Sequence, residues 1–137
     1  MIARFAIAWL LMALCVAIHA TGLTAAFRRI ESADISVRSG FWGWTRALIA
    51  LAGWTILIHV LEIALWGIFY SWKGVFDDFG TALYFSAATY TTTGYGDVVL
   101  PSDWHLIGAI EALTGILMNG LSTGFFFAAV NRMHRES

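Results

Sequence analysis

Formal charge is scarce in this chain. Of its 137 residues only 12% are Asp, Glu, Lys or Arg, while 59% are apolar. Soluble domains sit near about 25% charged and about 45–50% apolar, so the composition points to a membrane protein and away from a soluble enzyme. A single cysteine, Cys15, excludes an intrachain disulfide and a cysteine-based metal site. A single proline, Pro101, leaves long stretches free to be helical. No His/Cys/Asp/Glu run has metal-ligand spacing, no glycine-rich loop precedes a lysine, and there is no nucleophile elbow. Enzymatic chemistry therefore has no visible carrier, and no cofactor is expected. The formal charge of −1 carries no signal for nucleic acid, and no nucleic-acid partner is expected.

What is present is three long apolar stretches. Phe5 to Phe27 is 23 residues without Asp, Glu, Lys or Arg, and about 20 residues span a bilayer. A signal peptide is the competing reading, because Arg4 precedes an apolar run that ends in small residues near Ala20. The run exceeds the usual apolar core of a signal peptide, about 7–15 residues, and a spanning helix is favoured. Residues 28–43 form a polar link with Arg28, Arg29, Glu31, Asp34 and Arg38, followed by Trp42 and Trp44. The link is read as a solvated connector, with an interfacial helix as the alternative. Residues 45–70 are the second span, with Glu62 its only formal charge past Arg46, and Trp66, Tyr70 and Trp72 are expected at its far interface. Residues 104–130 are the third span, with Glu111 its only formal charge, followed by a short basic tail over 131–137.

Between the second and third spans, residues 79–90 are apolar or small and too few to cross a membrane. Asp78 is placed to cap such a helix. The segment then runs into Thr91-Thr92-Thr93-Gly94-Tyr95-Gly96-Asp97. A short helix followed by irregular backbone, between two spans, describes a re-entrant loop. Such backbone is tolerated at membrane depth only where protein or a watery cavity receives its polar groups.

Charge sets the expected topology. With the loop outside, Arg28, Arg29, Arg38, Arg46, Arg132 and Arg135 lie inside, and only Arg4 and Lys73 lie outside. The N-terminus is then outside and the C-terminus cytoplasmic. Asp77, Asp78, Asp97 and Asp103 make an acidic outer mouth that concentrates cations.

Thr92-Thr93-Gly94-Tyr95-Gly96-Asp97 resembles the selectivity filter of tetrameric potassium channels, with Thr93 where the family mostly has Val. The physical reason for Gly-x-Gly is that neighbouring carbonyls point one way only if alternate residues take unusual backbone angles, which Gly94 and Gly96 permit. The resemblance implies an all-α membrane protein with three transmembrane helices per subunit, a re-entrant pore helix (79–90) and a filter (92–96). It implies K+ binding by the carbonyls of Thr92, Thr93, Gly94 and Tyr95 and by the Thr92 hydroxyl, with Gly96 completing the filter. Tyr95 would brace the filter against the pore helix, and Asp97 would support it. The Thr93 hydroxyl would add a hydrogen bond behind it. One chain supplies one strand of a four-stranded ring, so a homotetramer is expected.

The last span, with Glu111-Ala112-Leu113-Thr114-Gly115 and Leu121-Ser122-Thr123-Gly124, is similar to the inner helix of bacterial inward-rectifier potassium channels. That likeness implies a flexible point at Gly115 and a cavity-facing Asn119; close helix packing is the alternative for Gly115. Two departures stand out. Those channels carry a large cytoplasmic domain, whereas seven residues follow Val130 here, and they lack the first span. The resemblance therefore covers residues 45–130 and leaves 1–44 outside it.

Glu62 and Glu111 are intramembrane carboxylates, which are costly and usually functional. Ala88 occupies the pore-helix position where some bacterial channels place a Glu paired with the filter Asp. Glu62 or Glu111 is expected to supply polar support behind the filter instead, with protonation tuning gating. His59, three residues before Glu62, is placed to pair with it on one helix face. The reading is a passive potassium channel in a lipid membrane, a bacterial inner or plasma membrane, with K+ the permeant ion. The alternatives are a weakly selective cation channel and a non-conducting subunit of a larger assembly.

Overall fold

The computed structural model describes residues 2–32 and 40–135. Four α-helices follow one another: α1 over Ile2–Ser32, α2 over Gly40–Trp72, α3 over Phe79–Tyr90 and α4 over His105–Arg135. A 3-10 turn over Ser102–Trp104 leads into α4. Three helices are long and apolar enough to cross a membrane, through Ala3–Arg29, Trp42–Trp72 and Ser102–Asn131. The fold is all-α, with three spans and one short helix between the second and third.

The helices run further than hydropathy alone suggests. The second span, expected from residue 45, is helical from Gly40. The link read as a connector over 28–43 is helical at both ends, because α1 continues to Ser32. Asp34 and Arg38 lie outside the described residues, so the interfacial-helix reading does too. The expected tail over 131–137 is helical as far as Arg135. None of these extensions contains a proline, and the polar side chains in them cost a helix little.

Each end of the re-entrant segment has a local cause. At the end of α2, Gly74 takes φ 62°, and the amides of Gly74 and Val75 bond back to the carbonyls of Ser71 and Tyr70 at 3.0 Å, a glycine helix stop. The Asp78 carboxylate accepts from the Thr81 amide at 2.9 Å and from the Thr81 hydroxyl, capping α3. Helix α3 then descends along α4, with Phe85 beside Gly108, Ser86 bonded to Glu111, and Tyr90 against Gly115. The chain returns through residues 92–100 to the level of Tyr84, which bonds Asp97.

Helix α1 fills the groove between α2 and α4, which touch each other little. Its N-terminal end is held where the Arg4 guanidinium bonds the Asp103 carbonyl at 2.9 Å and its carboxylate, and lies 4.6 Å over the Trp104 ring. Further along, the Trp54 indole N–H donates to the Gly22 carbonyl at 2.9 Å. Gly22 lets the two helices meet there: a Cβ would come to 2.5 Å from the Ile58 δ-methyl, and that side chain would have to shift.

The main core joins Ala8, Leu11 and Cys15 of α1 to Trp66, Phe69 and Tyr70 of α2, Phe85 of α3 and Ile107 of α4. This corrects the interfacial reading of Trp66 and Tyr70: both are fully buried, and only Trp72 is exposed. Tyr70 meets Phe76 and Phe85 edge to face and Phe69 meets Trp104 in the same way, while Trp66 packs against Phe69 and Tyr70. Outward, Trp9, Leu10, Ile49, Ile56, Leu61 and Ile68 are exposed apolar side chains. A helix apolar on every face belongs in lipid or a larger core.

Candidate functional site: the loop after α3 and the polar layers behind it

The end of α3 shapes the loop. The amides of Thr91, Thr92 and Gly94 turn back to the carbonyls of Ala87, Thr89 and Ala88, at 3.1, 2.9 and 3.0 Å. Those bonds satisfy carbonyls that a helix C-terminus leaves unpaired. They also fold the loop against the end of the helix, where the helix dipole is negative and favours a cation.

Along the loop the backbone alternates in hand. Thr92, Gly94 and Gly96 take φ of 58°, 52° and 78°. Over residues 92–96 every second residue is thus in the left-handed region. Gly94 and Gly96 adopt this at little cost. For Thr92, a β-branched residue, the same φ is a genuine outlier that the surroundings must hold. The sequence reading placed the special angles at the two glycines and missed Thr92; no propensity rule marks a threonine for that conformation.

Side chains lock the loop to α3. The Thr91 hydroxyl donates to the Ala87 carbonyl at 2.7 Å, so the 2.8 Å contact between Thr91 and Thr93 is made by the Thr93 hydroxyl donating to Thr91 Oγ1. Above it, the Tyr84 hydroxyl donates to Asp97 Oδ2 at 2.7 Å. That bond holds the Asp97 carboxyl below the usual carboxylate range. The brace expected of Tyr95 is not made within the subunit, where its side chain is 73% exposed; Tyr84 makes the link between α3 and the loop. Residues 91–97 are all exposed in the single chain.

Behind the loop lie two buried polar layers. In the first, Tyr70 donates to Glu111 Oε2 at 2.9 Å, and the Ser86 hydroxyl contacts both Glu111 Oε1 at 2.5 Å and the Ile63 carbonyl at 2.9 Å. The Ser86 hydrogen cannot serve two acceptors. All three contacts are made together when the Glu111 carboxyl carries a hydrogen toward Ser86, leaving the hydroxyl to donate to Ile63.

The second layer joins all four helices. Glu62 on α2 receives the Tyr90 hydroxyl of α3 on Oε2 and faces His19 Nδ1 of α1 at 3.0 Å on Oε1. His59 Nδ1 lies 3.3 Å from both Tyr90 Oη and Glu62 Oε2. The Nε2 atoms of His59 and His19 both reach Ser122 Oγ of α4, at 3.0 and 3.1 Å. His19, Glu62 and Ser122 are buried, and His59 keeps 15% of its side chain exposed. The five groups form a closed ring, Glu62–Tyr90–His59–Ser122–His19–Glu62, in which each donates once and accepts once when the ring has no net charge. Sequence placed His59 with Glu62; it did not reveal His19, Tyr90 or Ser122 as their partners.

The structure thus brings both intramembrane carboxylates to α3, Glu111 through Ser86 and Glu62 through Tyr90. Gly115 of α4 lies against the end of the same helix: a Cβ there would fall 1.9 Å from the Tyr90 carbonyl oxygen. Close packing is therefore what Gly115 serves in this conformation. Asn119, one turn further on, is exposed on the subunit.

Comparison with protein families matches residues 56–132 to the family described as "Ion channel", more than half of the chain. The matched region begins within α2 and ends near the end of α4, leaving α1 outside it. Neither a curated protein nor a solved structure matches.

Proposed function

The chain belongs to this ion-channel family, and on that premise we propose that it is a passive potassium-selective channel. Four copies assemble around a four-fold axis, each giving one filter strand. The carbonyls of Thr92, Thr93, Gly94 and Tyr95, with the Thr92 hydroxyl, replace the hydration shell of K+. The observation that carries this reading is the alternation of left-handed backbone at Thr92, Gly94 and Gly96, which a simple turn does not require. Gly96 and Asp97 finish the filter at an acidic mouth, where the field gathers cations. In this reading the loop faces outward, both termini keep the sides that the arginines assign, and Asn119 faces the cavity below the filter. The exposed apolar faces of α1 and α2 meet lipid.

One observation favours a second reading, a weakly selective cation channel. The Thr93 hydroxyl is tied to Thr91, a hydrogen bond that the usual Val cannot make, and it changes the mechanics of the filter at one ring of carbonyls.

The test is ion flux from liposomes holding the purified protein, with K+ or Na+ as the only permeant cation. The potassium reading requires K+ flux that barium blocks, that Na+ does not match, and that Gly94→Ala abolishes. Equal K+ and Na+ flux selects the second reading. A well-folded tetramer that conducts neither ion, under any condition that opens the pore, overturns both.

A further inference from the structure

We propose that His19, His59 and Glu62 form a binding site for a divalent transition cation of the zinc class, which clasps α1 to the pore-forming part of the subunit. One ligand atom from each of the three residues lies within 4.8 Å of the other two. Two imidazoles and one carboxylate are a set that zinc accepts with a fourth position open. Zinc–ligand bonds of about 2.0–2.2 Å put neighbouring tetrahedral ligands about 3.4 Å apart. His19 Nδ1 lies 3.0 Å from Glu62 Oε1 and His59 Nδ1 lies 3.3 Å from Oε2, so the two imidazoles flank the two oxygens of one carboxylate.

The surrounding groups support this more than the distances alone. Metal-bound histidines nearly always donate their other ring N–H to a fixed acceptor. Here both histidines turn Nδ1 toward Glu62 and Nε2 toward the same atom, Ser122 Oγ. A hydroxyl oxygen has two lone pairs and can accept both N–H groups at once. The Tyr90 hydroxyl, bonded to Glu62 and 3.3 Å from His59 Nδ1, is the nearest group to the fourth position. His59 is the one ligand of the three that the chain does not fully cover, with 15% of its side chain exposed. Loading the site replaces the hydrogen that closes the apo ring on the carboxylate, so at least one proton leaves as each ion enters.

The ligands come from α1 and α2, and the groups that orient them come from α3 and α4. A bound ion therefore ties the helix outside the ion-channel match to the base of the loop that follows Tyr90. Binding itself does not rest on the potassium reading and can be tested without any flux.

The experiment uses untagged full-length protein in detergent, dialysed against Zn2+ alone, with bound metal counted per chain. Co2+ alone is then used as a spectroscopic probe of the same protein. The expected results are one Zn2+ per chain and an intense visible Co2+ spectrum of four-coordinate type that Zn2+ displaces. His19→Gln and His59→Gln should each reduce uptake at least 100-fold, and Ser122→Ala should weaken it about 10–100-fold. No Zn2+ bound by the wild type, or a weak six-coordinate Co2+ spectrum, overturns the site. So does uptake that is unchanged in folded His19→Gln protein. The Co2+ spectrum is read on unaltered protein, so the proposal stays open to refutation even if every variant fails to fold.

Discussion

The carbonyl oxygen of Tyr90 sits where Gly115 leaves room for it, 1.9 Å from the point a Cβ would occupy. Here α4 packs against the end of α3, at the residue from which the loop departs. The neighbouring atom is backbone, held by the helix, and cannot swing aside.

Gly115→Ala is therefore expected to force α3 and α4 apart and to destabilise the subunit by about 1–3 kcal/mol or more. Gly120 offers the comparison, since among the described residues a Cβ there meets nothing beyond its own helix within 4 Å. Thermal unfolding in detergent should separate the two variants. Equal losses would show that alanine disturbs the inner helix generally and that the Tyr90 contact is not special.

The Thr93 hydroxyl is bonded to Thr91, and Thr93→Val removes that bond while keeping the shape. The expected loss is about 0.5–1.5 kcal/mol, the net value of one such bond. If the proposed potassium selectivity holds, flux in liposomes should keep its preference for K+, because the substitution leaves the carbonyl at position 93 unchanged. If selectivity instead rises sharply in the variant, the hydroxyl is what loosens the filter.

The hydrogen count around Glu111 makes a distinction between two replacements. Glutamine can accept from Tyr70 with its oxygen and donate to Ser86 with its amide, as the protonated carboxyl does. Glu111→Gln should stay within about 1 kcal/mol of the parent, whereas Glu111→Ala strands the buried Tyr70 hydroxyl at about 1–3 kcal/mol and leaves a cavity beside Ser86, which keeps its bond to Ile63. Denaturation of the two variants checks this. A glutamine variant as unstable as the alanine one would mean that an ionised carboxylate is required. If protonation of Glu111 tunes the gate, Glu111→Gln will also flatten the response of flux to pH.

The Tyr84 hydroxyl lowers the pKa of Asp97 in the folded protein. A depressed carboxyl pKa contributes stability that is fully present above the unfolded value, about 3.9, and is lost as pH falls through the folded one. Tyr84→Phe should move the Asp97 titration upward toward that ordinary value. A carboxyl 13C titration of labelled protein reads it directly. An unchanged midpoint would show that the bond does not persist in solution.

Much of the architecture was legible in the order of residues because its causes are local. A run such as Phe5 to Phe27 is a span by composition alone. Asp78 caps α3 through an amide three residues away, and the special angles at Gly94 and Gly96 follow from their lack of a Cβ. Trp66 and Tyr70 show where such reading fails: their type suits an interface, but α3 lying over them puts them in the core. Thr92 shows it again, since its left-handed backbone is held by neighbours and not by preference.

Sequence by itself determined the three spans, the short helix between two of them and the glycine-bearing loop, because hydropathy, helix capping and backbone freedom act over a few residues. Only tertiary structure decided where α1 packs, what Gly115 touches, and that His19 meets Glu62, 43 residues away. Periodicity can place residues on one face of one helix. Which face of another helix it meets depends on how all the helices share one buried volume, and on the requirement that every buried polar group there find a partner.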